Sequence, residues 1–342
     1  MSDGAGPGAF VLGCAGPDLS GDEAAFFRDA DPWGFILFAR NVDTPDRLCA
    51  LTSDLRAALG RDAPILIDQE GGRVQRMGPP TWSGWPPPLD HMARVARAGG
   101  DPARAMALRA ALIGAELRAV GIDVNCTPTA DIAGAKTHPF LRNRCYGTDR
   151  ASVAARARAN ASGCLDGGVL PVVKHMPGHG RATADSHLSL PRVDASAATL
   201  AAEDFAVFRD LADLPLGMSA HVVYEALDAA APGTVSPTVV AAIREDIGFD
   251  GLLLTDDISM GALPGPVPAR AAAALAAGCD VVLHCNGDRA EMEAVAAAAP
   301  RLSGVSQVRA DRALARRPAG PSIDIAAARA ELAALEGAGA EG

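Results

Sequence analysis

Five side chains able to carry or move a proton stand within fourteen residues: Lys174, His175, His179, Asp185 and His187. They belong to the stretch KHMPGHGRATADSHLSLP, residues 174–191. Pro177, Gly178 and Gly180 break any helix there, so these polar groups sit on a loop. Asp185 and His187 are two apart, and on extended backbone their side chains share a face, which allows carboxylate–imidazole contact. A carboxylate beside an imidazole fixes its tautomer and raises its basicity, so the pair can shuttle a proton. The bland alternative is an Asp–His contact on the surface.

A second candidate is Asp256. Strand alternation after Leu252 and Leu254 puts Asp256 on their face and Asp257 on the other. If the leucines fill a barrel, Asp256 points into its mouth, where it could be a nucleophile, a general base or a metal ligand. Asp257 suits a cap for a following helix. Asp68, Arg76, Arg144, Lys174 and His175 supply donors and acceptors of both signs, a set that suits a polyhydroxylated neutral ligand. Lys174 stands out further because Lys136 is the only other lysine.

The elements that must position these residues alternate along the chain. Short apolar runs at 10–12, 34–38, 64–68, 122–126, 169–175, 216–221, 251–255 and 280–284 read as strands. Helical patterns lie between them at 22–29, 45–59, 103–120, 151–166, 197–211, 237–246, 268–277 and 289–298. Thr44-Pro45, Asp101-Pro102 and Ser236-Pro237 look like caps followed by a first-turn proline. Eight strand–helix repeats without a linker point to an α/β fold, a single-domain (β/α)8 TIM barrel spanning residues 1–342, with extra C-terminal helices at 304–316 and 323–336. A doubly wound sheet is the runner-up, but no Gly-rich dinucleotide fingerprint follows the first strand. Barrels place chemistry just past the strand C-termini, and polar residues recur there after six of the strands. The 77–91 stretch carries Trp82 and Trp85, which either stack on a sugar or pack a proline-stiffened loop.

Bulk composition narrows the partners. The chain has 342 residues, 49% of them hydrophobic, ample for a large core. Its net charge of −10 makes nucleic acid and anionic membranes poor partners. Seven cysteines, an odd number without CxxC, suggest reduced and mostly buried thiols in a cytoplasmic protein. No basic residue precedes Arg28, so a signal-peptide start is lacking and Val11-Leu12-Gly13-Cys14 reads as strand rather than a lipoprotein box. No apolar run reaches the roughly 18 residues of a membrane span. A monomer is expected.

Several of these stretches together resemble family 3 glycoside hydrolases of the bacterial β-N-acetylglucosaminidase (β-N-acetylhexosaminidase) type. They are DQEGGRVQR (68–76), RCYG (144–147), the 174–191 loop, MSAH (218–221) and TDDISM (255–260). The resemblance runs over residues 34–286 in the family's order. It implies a single-domain barrel and a retaining, two-step reaction without cofactor or metal. Asp256 would be the nucleophile, and His187, paired with Asp185, the general acid/base on a mobile loop. Asp68, Arg76, Arg144, Lys174 and His175 would clamp a terminal N-acetylglucosamine. The implied substrate is a muropeptide with 1,6-anhydro-N-acetylmuramic acid in the next position, met during cytoplasmic cell-wall recycling.

Three positions depart from the family pattern. Met176 stands where phenylalanine is usual and should change little. Arg181 replaces an aspartate and is expected to alter loop electrostatics or contacts to the leaving group. Tyr146 could add a hydroxyl contact. Rival readings remain. A histidine carries no negative charge that would repel phosphate, so a phosphorylase is an alternative. A metal-dependent amidohydrolase-like barrel using His175, His179, His187 and Asp256 is another. It lacks a first-strand HxH, and Pro177-Gly178 keeps His175 and His179 off a common helix face.

Overall fold

Along residues 252–254 the side chains alternate: Leu252 and Leu254 pack into one hydrophobic cluster and Leu253 into another. The same split recurs around the sheet. Val11, Ile36, Leu66, Val172 and Leu283 join the inner cluster, whereas Phe10, Phe35, Ile65, Val173 and Val282 join the outer one. Strands apolar on both faces must be covered on both, which is the condition of a parallel sheet wrapped by helices.

The computed structural model describes residues 6–184 and 190–337. Its strands are β1 (Gly8–Leu12), β2 (Pro32–Leu37), β3 (Ile65–Ile67), β4 (Val124–Asn125), β5 (Leu170–Met176), β6 (Arg192–Val193), β7 (Leu216–Ser219), β8 (Val223–Tyr224), β9 (Leu252–Asp257) and β10 (Val281–His284). Eight of them close a barrel of parallel strands in the order β1-β10-β9-β7-β5-β4-β3-β2. This is the expected (β/α)8 barrel, and each expected strand is present with shifted ends. The three anticipated caps also form: Thr44, Asp101 and Ser236 accept the backbone N–H groups of Arg47, Ala103 and Val239.

Three departures from the sequence reading have local causes. A helix, Pro88–Arg97, begins inside the stretch read as a Pro/Trp loop. Its first residue is the last of three prolines, a position that wastes no N–H, and His91, Met92 and Val95 bury one face. The single helix expected at 197–211 is two, Ala197–Ala202 and Asp204–Arg209, and the buried Asp204 carboxylate at the break bonds Arg181 Nε at 2.6 Å. Finally, β6 and β8 pair outside the barrel as a two-residue parallel ribbon, too short to show in periodicity.

The end of the barrel opposite the strand C-termini is sealed. Leu302, Ala310 and Ala313, from and before helix Gly304–Ala315, join the inner cluster. Buried acids at strand starts hold this end. Asp123 accepts Ile65 N at 2.8 Å, Arg56 Nη2 at 3.0 Å and Arg317 Nη1 at 2.7 Å. Asp280 likewise takes Arg244 Nη2 at 2.6 Å and Arg309 Nη1 at 3.2 Å. The seven cysteines are free thiols, all buried except Cys49. Among the described residues no helix is long and apolar enough to cross a membrane.

Because the Asp123 carboxylate is fully buried among three arginines, Arg56, Arg118 and Arg317, and a backbone donor, Asp123→Ala should lower stability by about 3 kcal/mol. Urea unfolding should show a lower midpoint at unchanged slope. Catalytic activity per folded molecule should persist, since the change lies at the sealed end.

Candidate active site

The loop after β3 builds most of the floor. Asp68 follows the last β3 residue, and Glu70, two positions on, points the same way. Gln69, between them, turns outward and staples the loop: its Oε1 accepts the N–H groups of Arg76 at 2.8 Å and Met77 at 3.1 Å, and its Nε2 donates to Met77 O at 2.6 Å. Gly71 and Gly72 then take φ of 97° and 61°, which only glycine adopts without strain. A Cβ on Gly71 would also lie 2.0 Å from Arg109 Nη2. That guanidinium anchors the turn from beneath, donating to Glu70 O and Pro86 O, both at 2.7 Å.

Arg109 is itself held. Its Nη1 lies 2.6 Å from His91 Nδ1, and His91 Nε2 contacts the Glu336 carboxylate just past the last helix. An imidazole that accepts from arginine and donates to a carboxylate must be neutral. Burial and the Arg109 charge lower the His91 pKa to about 4, in keeping with that role.

Strand β5 delivers the cation that joins the acids. Lys174 Nζ lies 2.6 Å from Asp68 Oδ1 and 2.7 Å from Glu70 Oε1. Arg144 grips Glu70 through two bonds, Nε at 2.9 Å and Nη2 at 2.8 Å. Arg76 Nη2 reaches Asp68 Oδ2 at 3.3 Å. Burial alone would push the Glu70 carboxyl up, but the Arg144 and Lys174 charges outweigh it and bring it to about 2. Asp68 is held well below the usual range by Lys174 and Arg76 against the same burial. Lys174 is raised in turn: its two carboxylates more than offset the cost of burying an ammonium.

His175, next on β5, bonds Asp131 Oδ2 through Nδ1 at 2.7 Å, and Asp131 Oδ1 accepts His179 N at 2.6 Å. This fixes the proton on Nδ1 and leaves Nε2 toward Arg144, 3.5 Å away. Burial and the neighbouring His175 lower the His179 pKa to about 4.

Asp256, the last but one residue of β9, is half-buried at the mouth, as alternation predicts. Burial raises its carboxyl, yet His175, His221 and the Asp257 N–H, which donates to Oδ1 at 2.8 Å, bring it below the ordinary range. Asp257 does not cap a helix. Its carboxylate accepts Ser259 N at 3.0 Å, Ser259 Oγ at 2.6 Å and Cys285 N at 3.3 Å, while its carbonyl takes His221 Nε2 at 2.9 Å. It locks the turn that presents Asp256.

Asp68, Arg76, Arg144, Lys174, His175 and Asp256 all line one cavity of about 280 Å³. That volume sits at the low end for ligand sites, which run from roughly 300 Å³ upward. Asp185 and His187 lie outside the described residues. Ala184, immediately before them, lines the same cavity. The flanks of that segment are anchored: Arg181 pairs with Asp204 and Glu203, Tyr224 Oη donates to Gly178 O at 2.9 Å, and Val223 N donates to Pro191 O at 2.9 Å.

Sequence reasoning passed over Glu70 and Asp131, each buried and each bonded to a residue it did select. The period-two spacing of Asp68 and Glu70 was a usable signal; nothing local marks Asp131 as the partner of His175. Arg181 pairs with Glu203 and Asp204 and does not line the cavity, so it acts on the electrostatics of its own loop, one of the two effects expected of it. The expectation for Tyr146 is corrected. Tyr146 is buried in the outer core and contributes no hydroxyl to the cavity. Trp85 packs beneath its loop, 5.4 Å from the Arg109 guanidinium, and neither it nor Trp82 lines the cavity. Among the described residues no cluster of three or more His, Cys, Asp or Glu side chains could hold a metal ion.

Comparison with known proteins gives a consistent result. Residues 20–317 match the family described as glycosyl hydrolase family 3 N terminal domain. A β-hexosaminidase of Bordetella parapertussis is 37% identical over 287 residues, covering 82% of this chain and 80% of the relative. One of Methylococcus capsulatus is 39% identical over 276 residues, covering 79% and 80%. Among solved structures, NagZ from Neisseria gonorrhoeae in complex with N-trifluoroacetyl-D-glucosamine superposes with a TM-score of 0.83 at 29% identity, covering 97% of each chain. A family 3 β-N-acetylglucosaminidase from Paenibacillus sp. str. FPU-7 gives 0.78 at 30% identity, covering 96% of this chain and 62% of that one.

The Glu70 carboxylate should register in acid stability. A carboxyl with a depressed native pKa contributes stability that is complete above its unfolded value near 4.5 and is lost as pH falls toward about 2. Glu70→Gln should therefore cost about 3 kcal/mol at pH 7, leaving Lys174 and Arg144 short of a counter-charge. The gap from the wild-type protein should narrow steadily below pH 4.5, as read by urea unfolding across a pH series.

Proposed function

From a chain that belongs to glycosyl hydrolase family 3 and is a β-N-acetylhexosaminidase, we propose a specific reaction: release of the non-reducing terminal N-acetylglucosamine from muropeptides. The next sugar is 1,6-anhydro-N-acetylmuramic acid, and the setting is cell-wall recycling in the cytoplasm, with the enzyme acting as a monomer. The observation that carries this reading is the shared cavity. A half-buried carboxylate, Asp256, stands beside a closed set of donors and acceptors in a space suited to one sugar ring. The Neisseria neighbour, solved with an N-acylated glucosamine analogue, supports that choice of sugar.

In this mechanism Asp68, Arg76, Arg144, Lys174 and His175 hold the hydroxyls of the terminal sugar. Each already has a partner, Asp68 in Lys174 and Arg76, Arg144 in Glu70 and His175 in Asp131, so substrate hydroxyls exchange into formed hydrogen bonds rather than order loose side chains. Asp256, kept ionised, attacks C1 as the bond from C1 to the leaving oxygen breaks. His187, oriented by Asp185, gives its proton to that oxygen. The sugar is then joined to Asp256. Water attacks C1 from the vacated side, His187 takes its proton, and the bond to Asp256 breaks. Two inversions give retention. An imidazole of ordinary pKa near 6.5 can serve in both directions near neutrality.

The deciding experiment is product analysis on muropeptides with and without phosphate. Free N-acetylglucosamine in both conditions supports the proposal. A sugar 1-phosphate formed with phosphate present would make the enzyme a phosphorylase, and intact muropeptides would remove the substrate assignment.

Asp256→Ala should reduce kcat on p-nitrophenyl N-acetyl-β-glucosaminide by a factor on the order of 10⁴ or more. His187→Ala should cost roughly 10²- to 10⁴-fold on substrates with poor leaving groups and much less on aryl glycosides whose leaving groups need no proton. An equal loss on both substrate types would dismiss His187 as the acid.

A further inference from the structure

Every cation lining the floor of the cavity is matched by an acid. Arg76 has Asp68, Arg144 has Glu70, and Lys174 has both. Arg73 breaks this pattern. It lines the same cavity but is exposed at its edge, and among the described residues no carboxylate lies within ion-pairing distance of it. Its guanidinium is nonetheless placed: it lies 4.1 Å from the centroid of the Phe140 ring. Stacking on a ring face orients the planar fork and leaves its N–H edges free to donate. His138 lines the cavity beside it. Its Nδ1 accepts Phe140 N at 3.2 Å, so the neutral ring carries its hydrogen on Nε2 and offers a second donor.

The position says what these donors meet. The matched charges are buried on the floor, and the sugar they hold has its C1 at Asp256. Whatever is attached to C1 extends toward the open side of the cavity, which Arg73, exposed, and His138, half-buried, both line. An unmatched guanidinium there, on a chain of net charge −10, favours an anion that the rest of the molecule repels. A planar fork fits a carboxylate through two parallel bonds.

We propose that Arg73, stacked on Phe140 and assisted by His138, is a specificity-determining residue that binds a carboxylate on the leaving group. This deepens the muropeptide reading and rests on it: the lactyl carboxyl of the muramic acid sugar is amide-bonded while the stem peptide is attached and is a free carboxylate once the peptide has been removed, so Arg73 would favour the peptide-free disaccharide over the peptide-bearing one.

The test compares kcat/KM for the disaccharide of N-acetylglucosamine and 1,6-anhydro-N-acetylmuramic acid with kcat/KM for the same disaccharide bearing a lactyl carboxamide. A second pair, the 3-carboxyphenyl and 3-carbamoylphenyl β-N-acetylglucosaminides, poses the question without muramic acid. The wild-type enzyme should prefer each acid over its amide by about tenfold, the scale of one charge-assisted hydrogen-bonded pair. Added salt should shrink that preference. Arg73→Gln should bring the ratio near one, and Arg73→Lys should restore part of it.

An acid-to-amide ratio that survives in Arg73→Gln overturns the proposal. So does an equal loss on acid and amide, which would assign Arg73 to the sugar clamp or to the 185–189 segment. Phosphate-dependent turnover that disappears in Arg73→Gln without any carboxylate preference would make the anion phosphate, and overturns it too. If neither disaccharide is cleaved, the muropeptide assignment fails by itself, and the aryl pair still decides the role of Arg73.

Discussion

The site depends on one buried arrangement of charge: the Lys174 ammonium held between the Asp68 and Glu70 carboxylates, with Arg144 closing on Glu70. None of these groups tolerates isolation in the interior, where an unpaired ion costs several kcal/mol. Each is therefore stable only while the others are in place. That mutual requirement ties together β3, β5 and the loop after β4, three stretches far apart in the chain. It also produces a rigid surface of donors and acceptors, which a sugar's hydroxyls need and which a flexible site would have to assemble at the moment of binding.

The cluster is supported by groups that do not line the cavity. Gln69 closes the loop from one side, and Arg109 pins its backbone from below through Glu70 O. Arg109 is held by neutral His91, and His91 by Glu336 just after the last helix. The C-terminal segment thus reaches the floor of the site through three side chains. Gly71 is part of the same device, because any side chain there would collide with the Arg109 guanidinium. Stability at the sealed end and geometry at the open end are kept apart: Asp123 and Asp280 tie strand starts to arginines, whereas the carboxylates past the strand C-termini face the cavity. This division is the usual one in barrels.

At the mouth the logic changes from matched to unmatched charge. Asp256 is presented by a turn that Asp257 and His221 lock, so its position is as fixed as the floor. The proposed acid/base segment leaves from Ala184 at the cavity edge, and its flanks are tied to Asp204, Tyr224 and β8. The groups that would discriminate between leaving groups, Arg73 and His138, have no charged partner among the described residues.

Much of this was legible in the residues themselves. Short apolar runs separated by helical repeats point to a parallel sheet covered on both faces, and eight such repeats without a dinucleotide fingerprint favour a closed barrel over a doubly wound sheet. The alternation of Leu252, Leu254 and Asp256 was enough to place Asp256 at the mouth, since side-chain direction along a strand is a local property. The short motifs marked Asp68, Arg76, Arg144, Lys174 and His175, and all of them meet in one cavity. Tertiary structure alone decided the pairings: that His175 leans on Asp131, that Arg181 pairs with Asp204, that Tyr146 is core, and that Trp85 packs over Arg109. Which side chain meets which across the barrel depends on the closure of eight strands and the loops they carry. That is a sum of long-range contacts, which no local spacing encodes.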